Sequence, residues 1–179
     1  MLKLIIITTL LALSSPAASD TILQCPTDKD VQIKAVPEMI LSLMNVALGT
    51  SFKDDEQRIV WYDDSLEYAP KEFMAFVIFH ECAHHELKHH DMAFEQKDKA
   101  AIVKSNSRRQ YEDDADCLSV KNLVTELNYT PDQIGIVIES MRYALDHAKL
   151  GDANHDTVTH RSNNMLACAA FPQSLKNLR

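Results

Sequence analysis

The sequence predicts a mainly α-helical domain carrying a small β-sheet. Glycine is scarce, with three in 179 residues, and strand-like alternation is rare. Helix-start signals recur at Pro37, Pro70 and Thr130, whereas a single run, RIVWYDD at 58–64, has strand character. The length suits one domain with a real core, and neither repeats nor low-complexity linkers divide it.

The opening stretch is expected to lie outside that domain. MLKLIIITTLLALSSPAAS has Lys3 near its start, an apolar run from Leu4 to Leu13, then small residues. This is the layout of a secretory signal peptide over residues 1–19, with cleavage expected between Ala17 and Ser19, and the run is short for a membrane span. The alternative is an uncleaved N-terminal anchor. Residues 20–179 would form the mature domain, exported to the periplasm or secreted. Loss of Lys3 takes the formal net charge from −8 to −9. No other apolar run is long enough to cross a bilayer, so a soluble mature chain is expected. An acidic domain without basic patches argues against nucleic-acid and anionic-membrane partners.

Within the domain, Pro37 opens the helical pattern PEMILSLMNVALG, which Gly49 is placed to stop. RIVWYDD sets Ile, Val, Trp and Tyr in succession between charges, as a strand does. Pro70 sits at the first turn of a helix expected to run through KEFMAFVIFHECAHHELKHH. A third helix, expected from Ser105 or Ser107, carries QYEDDADCLSVKNLVTEL. Thr130-Pro131-Asp132-Gln133 matches a capping box for a helix reaching about Ala148, before Gly151. GDANHDTVTH reads as a loop and RSNNMLACAAF as a last short helix. The total is one strand among five helices.

Four cysteines follow the leader: Cys25, Cys82, Cys117 and Cys168. An even number in an exported chain suggests disulfides, with three pairings possible. Cys25 and Cys168 stand near the two ends of the mature chain, which favours that pair together with Cys82–Cys117. No two cysteines have CxxC spacing, so a zinc cluster of thiolates is not indicated.

Five histidines fall within the eleven residues 80–90. His80-Glu81-x-x-His84 is the pattern HExxH. Histidines at i and i+4 share one helix face, so both imidazoles can reach the same ion. Glu81 is placed to take a proton from water activated there. Neutral imidazole suits zinc, one ion per chain. Phe73, Phe76, Val77 and Phe79 would bury this helix, and a dry surrounding strengthens the ion's charge. His90 lies ten residues after His80, but HELKHH contains no glycine to turn the chain. On a continuous helix His90 would stand roughly 9 Å along the axis from His84, which excludes it as a ligand. His89 is expected to serve the helix end, and His85, about 100° round from His84, to be solvated.

A catalytic zinc site takes a third protein ligand and keeps one position open. Glu112 and Asp116, in QYEDDADCLS, are at i and i+4 and so share a helix face, as a ligand and a supporting carboxylate would. Asp116 could accept the outer ring N–H of a ligating histidine, while Asp113 and Asp114 point elsewhere.

HECAH followed by EDDAD resembles the HExxH…ExxAD arrangement of gluzincin zinc metallopeptidases. It is most similar to the branch of HtpX-type and CAAX-prenyl proteases with their soluble periplasmic relatives. HECAHHELKH is similar to that branch's HExxH-four-residues-H stretch, with His89 at the final His, and RIVWYDD falls where these proteins carry an edge strand. The resemblance covers roughly residues 58–165. It implies a zincin-like domain with His80, His84 and Glu112 as zinc ligands, Glu81 as general base and Asp116 supporting a ligand histidine. Thr159-His160-Arg161 resembles the branch's Thr-His-Pro stretch followed by Arg, without the Pro and with altered Arg spacing, and would give His160 the stabilisation of the tetrahedral intermediate. His155 is the alternative for that role, and His147 reads as an ordinary helix-end residue. Ala83 and Lys88 depart from positions where these proteins often carry Gly.

The expected function is a zinc-dependent endopeptidase acting on protein or peptide substrates, which could align along RIVWYDD. Two other classes compete: an exported module that scavenges zinc or copper, and a structural or chaperone-like domain that has lost the reaction. An intact Glu81 counts against both.

Overall fold

The computed structural model describes residues 24–43, 48–53, 57–90, 101–147 and 158–170. The expected leader, residues 1–19, and His155 lie outside the described residues.

The chain first lays down β1 (Gln32–Val36) and α1 (Glu38–Leu43), then β2 (Gly49–Lys53) and β3 (Arg58–Asp63). The strands join in the order β1-β3-β2, with β3 parallel to β1 and antiparallel to β2. RIVWYD therefore forms a strand as its composition predicts, but it is the central strand of three, not the edge strand. Gly49 opens β2; it does not terminate a helix. β1 and β2 carry little alternation of their own, and main-chain pairing to β3 is what makes them strands. Val60 and Tyr62 of β3 enter the core between half-buried Ile59 and Trp61, the period-two pattern of a sheet covered on one face. Asp63 then starts a 3₁₀ turn, Asp64–Tyr68, by accepting a hydrogen bond from the Ser65 backbone N–H at 2.8 Å.

Pro70 precedes α2 (Lys71–Glu86), as its fixed φ favours. Phe73, Ala75, Phe76, Val77, Ile78 and Phe79 are all buried. A helix apolar on every side belongs at the centre, and α2 packs on β2 and β3 and against two further helices. These are α3 (Ala101–Glu126) and α4 (Pro131–His147); α5 (Val158–Ala170) packs on both α3 and α4. The Thr130 capping box forms: Thr130 N–H donates to Gln133 Oε1 at 3.0 Å, and Gln133 N–H to Thr130 Oγ1 at 3.4 Å. No described helix is long and apolar enough to cross a membrane.

Three boundaries differ from expectation. The α3 helix includes Ala101, ahead of the serines expected to open it, and α5 begins at Val158, so His160 lies in its first turn. Most consequentially, α2 does not continue to His90. Lys88 adopts φ 57°, with its N–H bonded to His85 O at 3.1 Å, and helical backbone resumes only at His89. A left-handed residue here does what a glycine usually does at a helix end.

The disulfides also differ. Cys25 pairs with Cys82 and Cys117 with Cys168, in place of Cys25–Cys168 and Cys82–Cys117. Because α3 and α5 are neighbours, Cys117 faces Cys168 with 5.3 Å between Cα atoms. The Cys25–Cys82 bridge ties the first described residues to the middle of α2, at 5.5 Å. The loops span 57 and 51 residues, for which chain entropy gives about 4 kcal/mol each.

Candidate metal centre

The centre is made where α2 and α3 touch. Their contact is fixed by one face of α3: Glu112, Asp116 and Ser119, continued by the fully buried Val120 and Leu123. Ser119 Oγ donates to Phe76 O at 3.1 Å, locking the register of the two helices. One turn further along each helix, His80 and His84 of α2 meet Glu112 of α3. His80 Nε2 lies 3.2 Å from Glu112 Oε2 and 3.2 Å from His84 Nε2, and His84 Nε2 lies 3.7 Å from Glu112 Oε1. The three ligand atoms fall within 4.8 Å of one another, the one such group among the described residues.

The outer nitrogen of each histidine has its own neighbour. His80 Nδ1 stands 2.8 Å from Asp116 Oδ1. Asp116 is wholly buried, and Arg161 of α5 holds both its oxygens, Nε to Oδ2 at 2.7 Å and Nη2 to Oδ1 at 2.6 Å. His84 Nδ1 meets His89 Nδ1 at 2.9 Å, and the buried His89 ring stacks on Tyr111, with centroids 4.6 Å apart. His89 thus serves a neighbouring side chain and not the helix end. The Lys88 turn brings it back, and the same turn brings the His90 ring to 6.4 Å from His84, where a straight helix would have carried it away.

Glu81 is buried beside the group and abuts the sheet. Gly49 of β2 lies against it: a Cβ there would come within 3.2 Å of Glu81 Cγ, 3.2 Å of Val77 Cγ1 and 3.1 Å of Trp61 O. The open space at this position is what admits the glutamate side chain.

The electrostatics follow from burial and pairing. Burial alone would lower the His80 pKa, but hydrogen bonds to Asp116 and Glu112 outweigh it and hold the imidazolium up to about 10. The same contact keeps Glu112 well below the usual carboxylate range despite its burial. Asp116 is likewise lowered, burial being overcome by the Arg161 guanidinium. His84 is pushed down by burial and then by the His80 charge, and His89 by burial to about 4. Glu81 is raised to about 7, chiefly by burial, against the pull of His80.

Of the remaining sequence-predicted residues, His160 is not among the three converging side chains. Its Nε2 meets Asp113 Oδ2 at 3.1 Å and the side chain is half exposed. Asp114 turns to Gln110, as expected of a residue off the site. His85 is buried, not solvated, with its Nε2 at 3.2 Å from Ile59 O of β3. Because α2 has the sheet on one side and α3 on the other, a residue 100° from His84 still meets protein. Sequence reasoning gave Arg161 and Gly49 no part in the centre and did not foresee the link from His89 to His84. Arg161 was within reach, since a buried carboxylate on α3 calls for a cation; the other two depend on tertiary approach.

The donor set fits a divalent ion. Two imidazole nitrogens and an ionised carboxylate converge, and each imidazole has an outer neighbour to fix its tautomer, the pattern of a His₂Glu zinc site. Comparison with protein-family models, with curated proteins and with solved structures gives no match.

Proposed function

We propose that the chain is a zinc-dependent endopeptidase of zincin type, similar to the gluzincins, acting in an oxidising compartment outside the cytoplasm. The observation that carries this reading is the approach of Glu112, from a separate helix, to His80 and His84, with Glu81 buried alongside. The two disulfides agree with an exported location.

His80 Nε2, His84 Nε2 and Glu112 would hold one zinc ion. When bound, zinc supplies Lewis acidity, polarising a substrate carbonyl and lowering the pKa of water. The rest falls to the chain's own groups. Glu81, buried beside the ligand group, can take a proton from the attacking water and return it to the leaving nitrogen. Arg161 orients Asp116, and the Asp116 carboxylate stands 2.8 Å from the outer nitrogen of His80, where its charge favours a proton on Nδ1.

Both sides of β3 are occupied by β1 and β2, so an extended substrate cannot add to RIVWYD as its sequence suggests. The strand suited to main-chain pairing is β2, an edge strand whose Gly49 lies against Glu81. His160 Nε2 is engaged with Asp113, so a role for it on the oxyanion requires that contact to open.

Neither metal storage nor a purely structural role needs a buried carboxylate beside the first ligand. The test is cleavage of an unfolded protein by the zinc-loaded chain and by Glu81→Gln. The reading expects zinc to stay bound and the rate to fall by at least about 10²-fold, as for loss of a general base. Cleavage at the native rate in Glu81→Gln, or no cleavage by the native chain, rejects it.

A further inference from the structure

The geometry points to His89 as the positioning residue that sets the tautomer of His84 for metal binding. The inference rests on the metal centre described above, though not on peptidase activity.

A neutral imidazole has one N–H and one lone pair. His84 turns Nε2 toward Glu112 and His80, so to ligate an ion there Nε2 must offer the lone pair and Nδ1 must carry the proton. That proton needs an acceptor, and a second imidazole stands within hydrogen-bond distance to supply one. The neighbour is His89 Nδ1, at 2.9 Å. For His89 to accept there, its own proton must sit on Nε2. The reverse arrangement, His89 Nδ1–H donating to His84, would place the His84 proton on Nε2 and block the ligand position.

Three features hold His89 in place. Its ring is buried, it stacks on Tyr111 at 4.6 Å with 23° between planes, and Lys88 at φ 57° folds the chain back toward His84. The two ligand histidines are therefore steered differently. His80 faces the Asp116 carboxylate, anchored by Arg161, and His84 faces a second imidazole.

Two substitutions separate hydrogen bonding from packing. His89→Asn keeps an acceptor oxygen close to where Nδ1 stood but loses the ring stack. His89→Phe keeps a ring against Tyr111 and loses the acceptor. Zinc affinity is read by chelator competition on the full mature chain, with the His84 tautomer read from ring ¹⁵N shifts of the zinc-loaded native protein. His89→Phe is expected to weaken zinc binding by about 10–100-fold. His89→Asn should stay within about threefold of native, and His84 should carry its proton on Nδ1. Loss in both variants alike, loss in Asn with retention in Phe, or native affinity in Phe overturns the inference, as does a proton on His84 Nε2. If the native chain holds no zinc, the metal centre itself fails and the inference with it. Native zinc binding with no difference between the two variants removes only His89.

Discussion

Arg161 holds both oxygens of Asp116, at 2.7 and 2.6 Å, and Asp116 in turn faces His80 Nδ1 at 2.8 Å. The pair is buried, so its charges cannot be replaced by water. Removing one partner leaves the other as an uncompensated charge. Arg161→Met should cost about 3–5 kcal/mol in chemical denaturation of the metal-free chain. It should also weaken zinc binding by about 10-fold or more, because Asp116 loses its orientation. A change below about 1 kcal/mol, the range of exposed pairs, would contradict the burial argument.

In the metal-free chain His80 is held protonated up to about 10, against burial, by Asp116 and Glu112. Zinc must displace that proton, so affinity should rise about tenfold per pH unit between pH 6.5 and about 10. Calorimetry in buffers of different ionisation enthalpy should find about one proton released per ion at pH 7.5. The stability of the metal-free chain should move the other way. A folded-state value above the unfolded one means the His80 contribution is full below about pH 6.5 and is lost as pH rises through about 10. Zinc uptake with no proton release would show that His80 is neutral in the empty centre.

The two bridges attach next to the candidate centre. Cys82 lies between His80 and His84, and Cys117 follows Asp116. Peptide mapping without reductant should recover Cys25 linked to Cys82 and Cys117 linked to Cys168. The double variant Cys117→Ala/Cys168→Ala should lose about 4 kcal/mol. A Cys25–Cys168 peptide would overturn the packing of α5 on α3.

Gly49→Ala would push a methyl group against Trp61 O, a main-chain atom that cannot yield, and against Glu81 and Val77. Overpacking at this position should cost about 1–3 kcal/mol and displace Glu81. Hydrolysis should fall more than zinc affinity does, since Glu81 and not a ligand side chain is among the atoms the methyl group would meet. Equal loss of both would mean that the strand supports the whole centre and not Glu81 in particular.

The centre was legible wherever its geometry is local. The i, i+4 spacing places His80 with His84 and Glu112 with Asp116 on single helix faces, and the structure joins those faces. Pro70 and the Thr130–Gln133 box marked two helix starts for equally local reasons. What eluded the sequence depends on partners distant in the chain. GTSFK becomes a strand by pairing with β3, and Cys117 meets Cys168 because α3 and α5 are neighbours. His85 is buried because the sheet covers its side of α2. Lys88 is the sharpest case: with no glycine in HELKHH, composition argues for a continuous helix, yet a lysine takes the left-handed turn and returns His89 to His84.

Metal analysis of the purified chain, dialysed and compared with Glu112→Ala, bears most directly on the centre. Closure of a carboxylate from α3 onto two imidazoles of α2 predicts one zinc ion per native chain, and loss of most of it in the variant. Unchanged zinc content in Glu112→Ala, or several ions per native chain, would mean that the histidines bind metal without α3 and that no three-residue centre exists.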